Sequence, residues 1–288
     1  MEEQGTLASA DEIAPPSQAS QVWLRVVSAI GLAIIAYAAT WGGVLPFAGF
    51  VLAVALLLSW EWSGVVRGDG IDATLIVHGL AVAGSVGLAA FGFVALGVAL
   101  LIIGTIIVLA LEFGARPLLS AAGVLYAGLP AVALIWFRSN EPLGFHAILF
   151  IVLVVAATDT VAFVTGRLIG GPKLAPAISP NKTWSGFLGG IAAASAIAAL
   201  FAYWISAPVQ ALAVIGLVMG IIAQMGDLAE SAIKRTFNVK DASQLLPGHG
   251  GFMDRMDGLI PVAVALALAV LFLDPQAPAD ALFAGFGR

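Results

Sequence analysis

Residues 92 to 111, "GFVALGVALLIIGTIIVLAL", run for twenty positions with Thr105 as the only side chain able to form a hydrogen bond. A helix of about 20 apolar residues crosses the roughly 30 Å hydrocarbon core of a bilayer. Inside that core every backbone N–H and C=O must be satisfied within the protein, which leaves a single spanning segment little choice but a helix. Eight more apolar runs lie at about 22–40, 44–60, 73–90, 117–137, 145–166, 186–206, 208–226 and 258–273. The chain as a whole is 61% hydrophobic and only 10% charged. Soluble domains are nearer half apolar and a quarter charged. The expected fold is therefore all-α: a polytopic transmembrane helical bundle of about nine spans.

Basic residues give this bundle a direction. With nine spans, one face collects Arg25, Arg67, Arg116, Arg167, Lys173, Lys182, Lys234, Arg235, Lys240 and Arg255, and the other has Arg138 and Arg288. Lys and Arg accumulate on the cytoplasmic side of membrane proteins, so the amino terminus and the large loops are expected there, and the carboxyl terminus on the opposite side. Residues 1–21 carry Glu2, Glu3, Asp11 and Glu12 ahead of Arg25. A secretory signal starts with positive charge, so this stretch reads as a disordered acidic tail. The expected organisation is that tail, then amino-terminal spans over 22–143, then a catalytic membrane region over 144–288. With no cysteine in the chain, disulfides, thiolate metal sites and cysteine nucleophiles are excluded.

Two loops on the basic face stand out for their polar chemistry. In 227–257, Asp227, Glu230, Ser231 and Lys234 recur every three or four residues and share one face of a helix continuing from the eighth span. Asp254 and Asp257 are three apart, just ahead of the ninth span. Carboxylates at two neighbouring helix ends suit a hard cation such as Mg²⁺, which takes one or two carboxylates plus waters and phosphate oxygens. The alternative is a solvated loop whose charges pair among themselves. Gly248, Gly250 and Gly251 flank His249 and let the backbone come close to a phosphate. The second loop, 167–185, offers Asn181, Lys182 and Thr183, either a phosphate-binding turn or a cap for the next helix. Asp159 lies about two turns inside the sixth span from Arg167. An ionisable residue there is a site candidate, or else a partner of Arg167 or of the hydroxyls of Thr158 and Thr160. His78 and His146, at span ends, read as packing or interfacial residues.

Residues 231–258, "SAIKRTFNVKDASQLLPGHGGFMDRMDG", resemble the signature of the phosphatidate cytidylyltransferase (CDP-diacylglycerol synthase) family. That signature is S-x-x-K-R, K-D, then P-G-H-G-G-x-x-D-R-x-D. The upstream "TDTVAFVTGR" and "ISPNKTW" are similar to the family's preceding segments, so the likeness covers about 100 residues, 158–258, while the first 150 match in hydropathy alone. One position departs: Ser185 stands where the family has Glu. The resemblance implies transfer of CMP from CTP to phosphatidate, giving CDP-diacylglycerol and pyrophosphate, with Mg²⁺ and room for a second metal ion. It implies Asp227 and Asp254 as leading metal ligands, followed by Asp257 and Glu230. Catalytic roles fall on Asp227, Lys234, Arg235, Asp254 and His249. Substrate contacts fall on Asn181, Lys182, Ser231, Lys240, Asp241, Gly250, Gly251 and Arg255, with Asp159 and Arg167 as further candidates.

The partners expected are CTP, phosphatidate, the bilayer and a second copy of the chain in a homodimer, with no nucleic acid. The location implied is a bacterial-type inner membrane, with the active-site loops cytoplasmic. Rival readings are a CTP-dependent polyprenol kinase or another lipid-phosphate cytidylyltransferase. From a different class comes an ion-coupled transporter, which would show repeats and broken helices near the midplane. Here the polar residues gather at one face.

Overall fold

The computed structural model describes residues 18–68, 70–112, 116–243, 245 and 250–285. Most of the acidic tail, and the candidate His249, lie outside them. In chain order the elements are α1 (Gln18–Trp41), α2 (Val44–Arg67), α3 (Ala73–Ala90), α4 (Val94–Leu111), α5 (Pro117–Arg138) and α6 (Gly144–Leu168), followed by a hairpin of β1 (Lys173–Ala175) and β2 (Ser179–Thr183). Then come α7 (Trp184–Trp204), α8 (Val209–Thr236), the single turn α9 (Met253–Met256), α10 (Leu259–Leu271) and α11 (Pro278–Phe283).

Each expected span is a helix, and seven of them, α2 to α8, are long and apolar enough to cross a membrane. The two outer ones are shorter in their described apolar parts, Val27–Trp41 and Leu259–Leu271. Two helices outrun the hydropathy that marked them. The second apolar span ends at 60 while α2 continues to Arg67, and α8 continues past the eighth apolar span to Thr236, as the spacing of Asp227, Glu230, Ser231 and Lys234 implied. Both extensions carry charged residues, which a hydropathy window treats as the end of a span although the backbone can stay helical. The antiparallel hairpin pairs Lys173 with Thr183 and Ala175 with Ser179, and was not anticipated.

Small residues bring α6, α7 and α8 together. A Cβ on Gly216 of α8 would lie 2.4 Å from Ala198 Cβ and 2.6 Å from Ala194 O, so the two backbones meet because nothing projects between them. Close approach of this kind replaces the hydrophobic drive that lipid removes between membrane helices. Buried hydroxyls return their protons to their own helices: Ser59 to Ala55 O, Ser85 to Ala81 O and Thr158 to Val154 O. Such i−4 bonds satisfy these three hydroxyl donors within the apolar interior. Thr183 caps α7 by accepting from Gly186 N at 3.2 Å. Ser185, the residue that departs from the family pattern, donates to Gly170 O and sits 3.0 Å from Thr183 Oγ1, tying the end of α6 to the start of α7.

Candidate active site

The helical run Asp227, Glu230, Ser231, Lys234 divides between two environments. Asp227 faces a cleft of about 770 Å³ bounded by the end of α6, the hairpin, α8 and α9. There its Oδ2 is 2.6 Å from Lys182 Nζ, and its Oδ1 accepts from Ser231 Oγ at 3.3 Å. Lys182 also reaches Gln224 O at 3.4 Å, so β2 is fastened to α8 through one ammonium. Glu230 turns the other way. It is buried, its Oε1 lies 3.1 Å from Lys234 Nζ, and it is not among the residues lining the cleft. Lys234 in turn pairs with Asp254 Oδ1.

Asp254 does two jobs. Besides Lys234, its Oδ2 accepts from Ala242 N at 3.1 Å and Gly251 N at 2.9 Å, which closes the loop between α8 and α9. It also lines the cleft. A carboxylate has about four acceptor positions, so these three bonds leave it capacity for a further ligand. Asp257, just beyond α9, lines the same cleft and accepts from Gly258 N at 2.7 Å. Burial pushes its carboxyl up to about 7, and the negative charges of Asp227 and Asp159 add to the rise. Like charges crowded where water is scarce disfavour one another's ionised form.

The cleft brings together Asp159, Arg167, Asn181, Lys182, Asp227, Asp254, Arg255 and Asp257, together with Lys173. Arg167 stands 5.9 Å from the Phe163 ring. Other sequence candidates lie outside it. Arg235 donates to Ile178 O and Val239 O, bracing the hairpin tip, and Lys240 and Asp241 are exposed beyond it. Gly250 adopts φ +79°, a conformation that favours glycine. Gly251 is glycine for another reason: a Cβ there would meet the carboxylate of Glu61 at 2.7–2.9 Å.

Glu61 was missed in the sequence. It is 1% exposed on α2 and accepts from Ser243 Oγ, Phe252 N and Met253 N. The signal was present, since an ionisable residue on a spanning helix is a candidate by default. The expected span stopped one residue short of it.

A second cleft, about 460 Å³, opens between α1, α2, α5, α6 and α10. Its walls are apolar apart from Ser28, Thr40 and Arg255, and Thr40 gives its proton to Ala36 O. Arg255 lines both clefts.

A bundle of helices of membrane-spanning length, with a charged cleft and an apolar one that share Arg255, defines an integral membrane protein. The chain belongs to the cytidylyltransferase family, whose model matches residues 23–273. The likeness thus extends well into the amino-terminal half. The chain is 40% identical to a phosphatidate cytidylyltransferase of Brucella suis over 274 residues, covering 92% of this chain and 99% of that protein. It is 39% identical to the one from Brucella melitensis over the same length. A phosphatidate cytidylyltransferase of Staphylococcus haemolyticus is 38% identical over 150 residues, 51% of this chain and 56% of that protein.

Proposed function

We propose that this protein is a phosphatidate cytidylyltransferase, joining CTP and phosphatidate into CDP-diacylglycerol with release of pyrophosphate. The observation that carries the reading is Arg255, shared by a charged cleft and an apolar one. One substrate is a water-soluble polyanion and the other a lipid, so their phosphates must meet where such surfaces join. The polar cleft takes CTP, with Lys182, Asn181 and Lys173 facing its phosphates. The apolar cleft takes acyl chain, and Arg255 holds the phosphate of phosphatidate between them.

A phosphate monoester has a second pKa near 6, so at neutral pH the attacking oxygen is already largely ionised. The reaction then needs alignment and charge neutralisation more than a general base. The phosphatidate oxygen forms a bond to the α-phosphorus of CTP while the bond to the β-phosphate oxygen breaks, and pyrophosphate leaves. Lys182 and Arg255 offset charge on the two reacting partners, and Lys234 keeps Asp254 in place.

The donor set suits Mg²⁺. Among the described residues no three His, Asp or Glu side chains enclose a metal unaided. A hard cation with only one or two protein carboxylates completes its shell with water and substrate phosphate. Asp227 and Asp254, with Asp257 beside them, would hold it. When bound it would supply positive charge to the CTP phosphates and offset the crowding of Asp227, Asp254 and Asp257. Glu230, paired inward with Lys234, is better suited to holding that lysine. A bacterial inner-membrane location, a cytoplasmic cleft and a homodimer complete the proposal, supported by the ten-to-two distribution of basic residues and by the family for the dimer.

The test uses purified protein in detergent with CTP labelled at the α-phosphorus, Mg²⁺ and phosphatidate. Label in the lipid product is expected. Label remaining wholly in CDP would point to kinase chemistry, and label remaining in CTP would remove the proposal.

A further inference from the structure

Glu61 reaches across the chain to the loop that carries the acidic residues. Its Oε1 accepts from Ser243 Oγ at 2.6 Å and Phe252 N at 2.9 Å, and its Oε2 from Met253 N at 2.6 Å, partners 182 to 192 residues away. A buried carboxylate persists only where such donors replace its water. Here it takes the N–H groups at the entry to α9, which a four-residue turn cannot satisfy for itself. The next three positions include Asp254 and Arg255, and Asp257 follows the turn, all lining the polar cleft. Gly251 corroborates the fit from the other side. Its φ is not in the left-handed region that Gly250 occupies, yet a side chain there would run into Glu61 at 2.7–2.9 Å. A side chain at 251 would have to displace the Glu61 carboxylate from its three hydrogen bonds.

We propose that Glu61 is the positioning residue of this site: its buried carboxylate sets the turn at 251–253 and thereby aims Asp254, Arg255 and Asp257 into the cleft. The amino-terminal helices then contribute to catalysis through α2, without touching substrate. The activity arm of the test rests on the cytidylyltransferase reading; the exchange arm does not.

Glu61→Gln keeps size but turns an amide donor toward backbone donors. Full-length protein in detergent should show kcat reduced about tenfold or more, with a smaller change in KM for CTP. Amide hydrogen exchange at one of Phe252 and Met253 should quicken about tenfold or more, because one of the two acceptor oxygens becomes an NH2. Gly251→Ala should lower kcat about tenfold alone, and less than about twofold when added to Glu61→Ala, since the clash is then gone. Three outcomes would overturn the proposal: kcat of Glu61→Gln within about twofold of wild type; unchanged exchange; or the same cost of Gly251→Ala in both backgrounds, which would put the glycine requirement on substrate. A variant that fails to fold leaves the wild-type exchange to decide: protected amides at 252 and 253 support the inference and rapid exchange there refutes it. Wild type that makes no CDP-diacylglycerol would remove the functional reading, while the exchange result would still stand or fall by itself.

Discussion

The two clefts that meet at Arg255 are built from opposite materials. The polar one draws on α6, the hairpin, α8 and α9, and crowds Asp159, Asp227, Asp254 and Asp257 against Lys182 and Arg255. The apolar one draws on α1, α2, α5, α6 and α10 and is lined mostly by Ala, Leu, Val, Ile and Phe. Charged groups must be held by specific partners, so the polar walls are cross-linked: Lys182 to Asp227, Lys234 to Asp254, Asp254 to two backbone amides. Hydrocarbon needs only space and excluded water, so the apolar walls are mostly aliphatic and aromatic side chains. The difference teaches that mutations should act on kcat in one cleft and on lipid affinity in the other.

The largest effects should come from the acidic residues. Asp227→Asn and Asp254→Asn are each expected to lower kcat by about a hundredfold or more, as loss of metal support does. They should differ in stability. Asp254 also holds Ala242 and Gly251, so its variant should lose about 1–3 kcal/mol in a denaturation assay, while Asp227→Asn stays near wild type. Equal stability of the two would break the distinction between a wall residue and one that also closes the loop. Chelation with EDTA should abolish label transfer, with Mg²⁺ restoring it; full activity in EDTA would refute the metal assignment.

Arg255→Ala tests the junction itself. KM for phosphatidate should rise about tenfold, reflecting a lost charge-assisted hydrogen bond, with KM for CTP changing less. An effect on CTP alone would move the lipid phosphate elsewhere, with Arg167 and Lys173 the next candidates. The smallest effect should follow Ala156→Phe on the apolar wall. Filling that space should raise KM several-fold for long-chain phosphatidate and leave a dihexanoyl analogue unchanged, because each displaced methylene is worth about 0.8 kcal/mol. Equal changes for both chain lengths would show that the cleft does not take acyl chain.

Much of this molecule was legible in one dimension. Apolar runs of spanning length appear as helices α1 to α8 and α10, because hydropathy and backbone satisfaction are properties of a local segment. The signature 231–258 likewise held Asp254, Arg255 and Asp257, three of the charged residues that line the polar cleft. Sequence could not divide the roles of that chemistry. Asp227 and Glu230 are three positions apart on one helix, yet one faces a cleft and the other a buried lysine. Asp159 was ambiguous until α6 and α8 packed side by side and put it on the cleft wall. Glu61 was invisible for a similar reason. Its partners are nearly two hundred residues distant, and hydropathy records how many charges a stretch holds but not what they touch. The sequence alone determined that the chain is a helical membrane protein with a charged loop of known family pattern, because both follow from the order of neighbours. Only the tertiary structure decided which carboxylates share a cleft, which one holds the loop, and where an apolar cleft joins them, because each is a meeting of side chains from helices far apart in the chain.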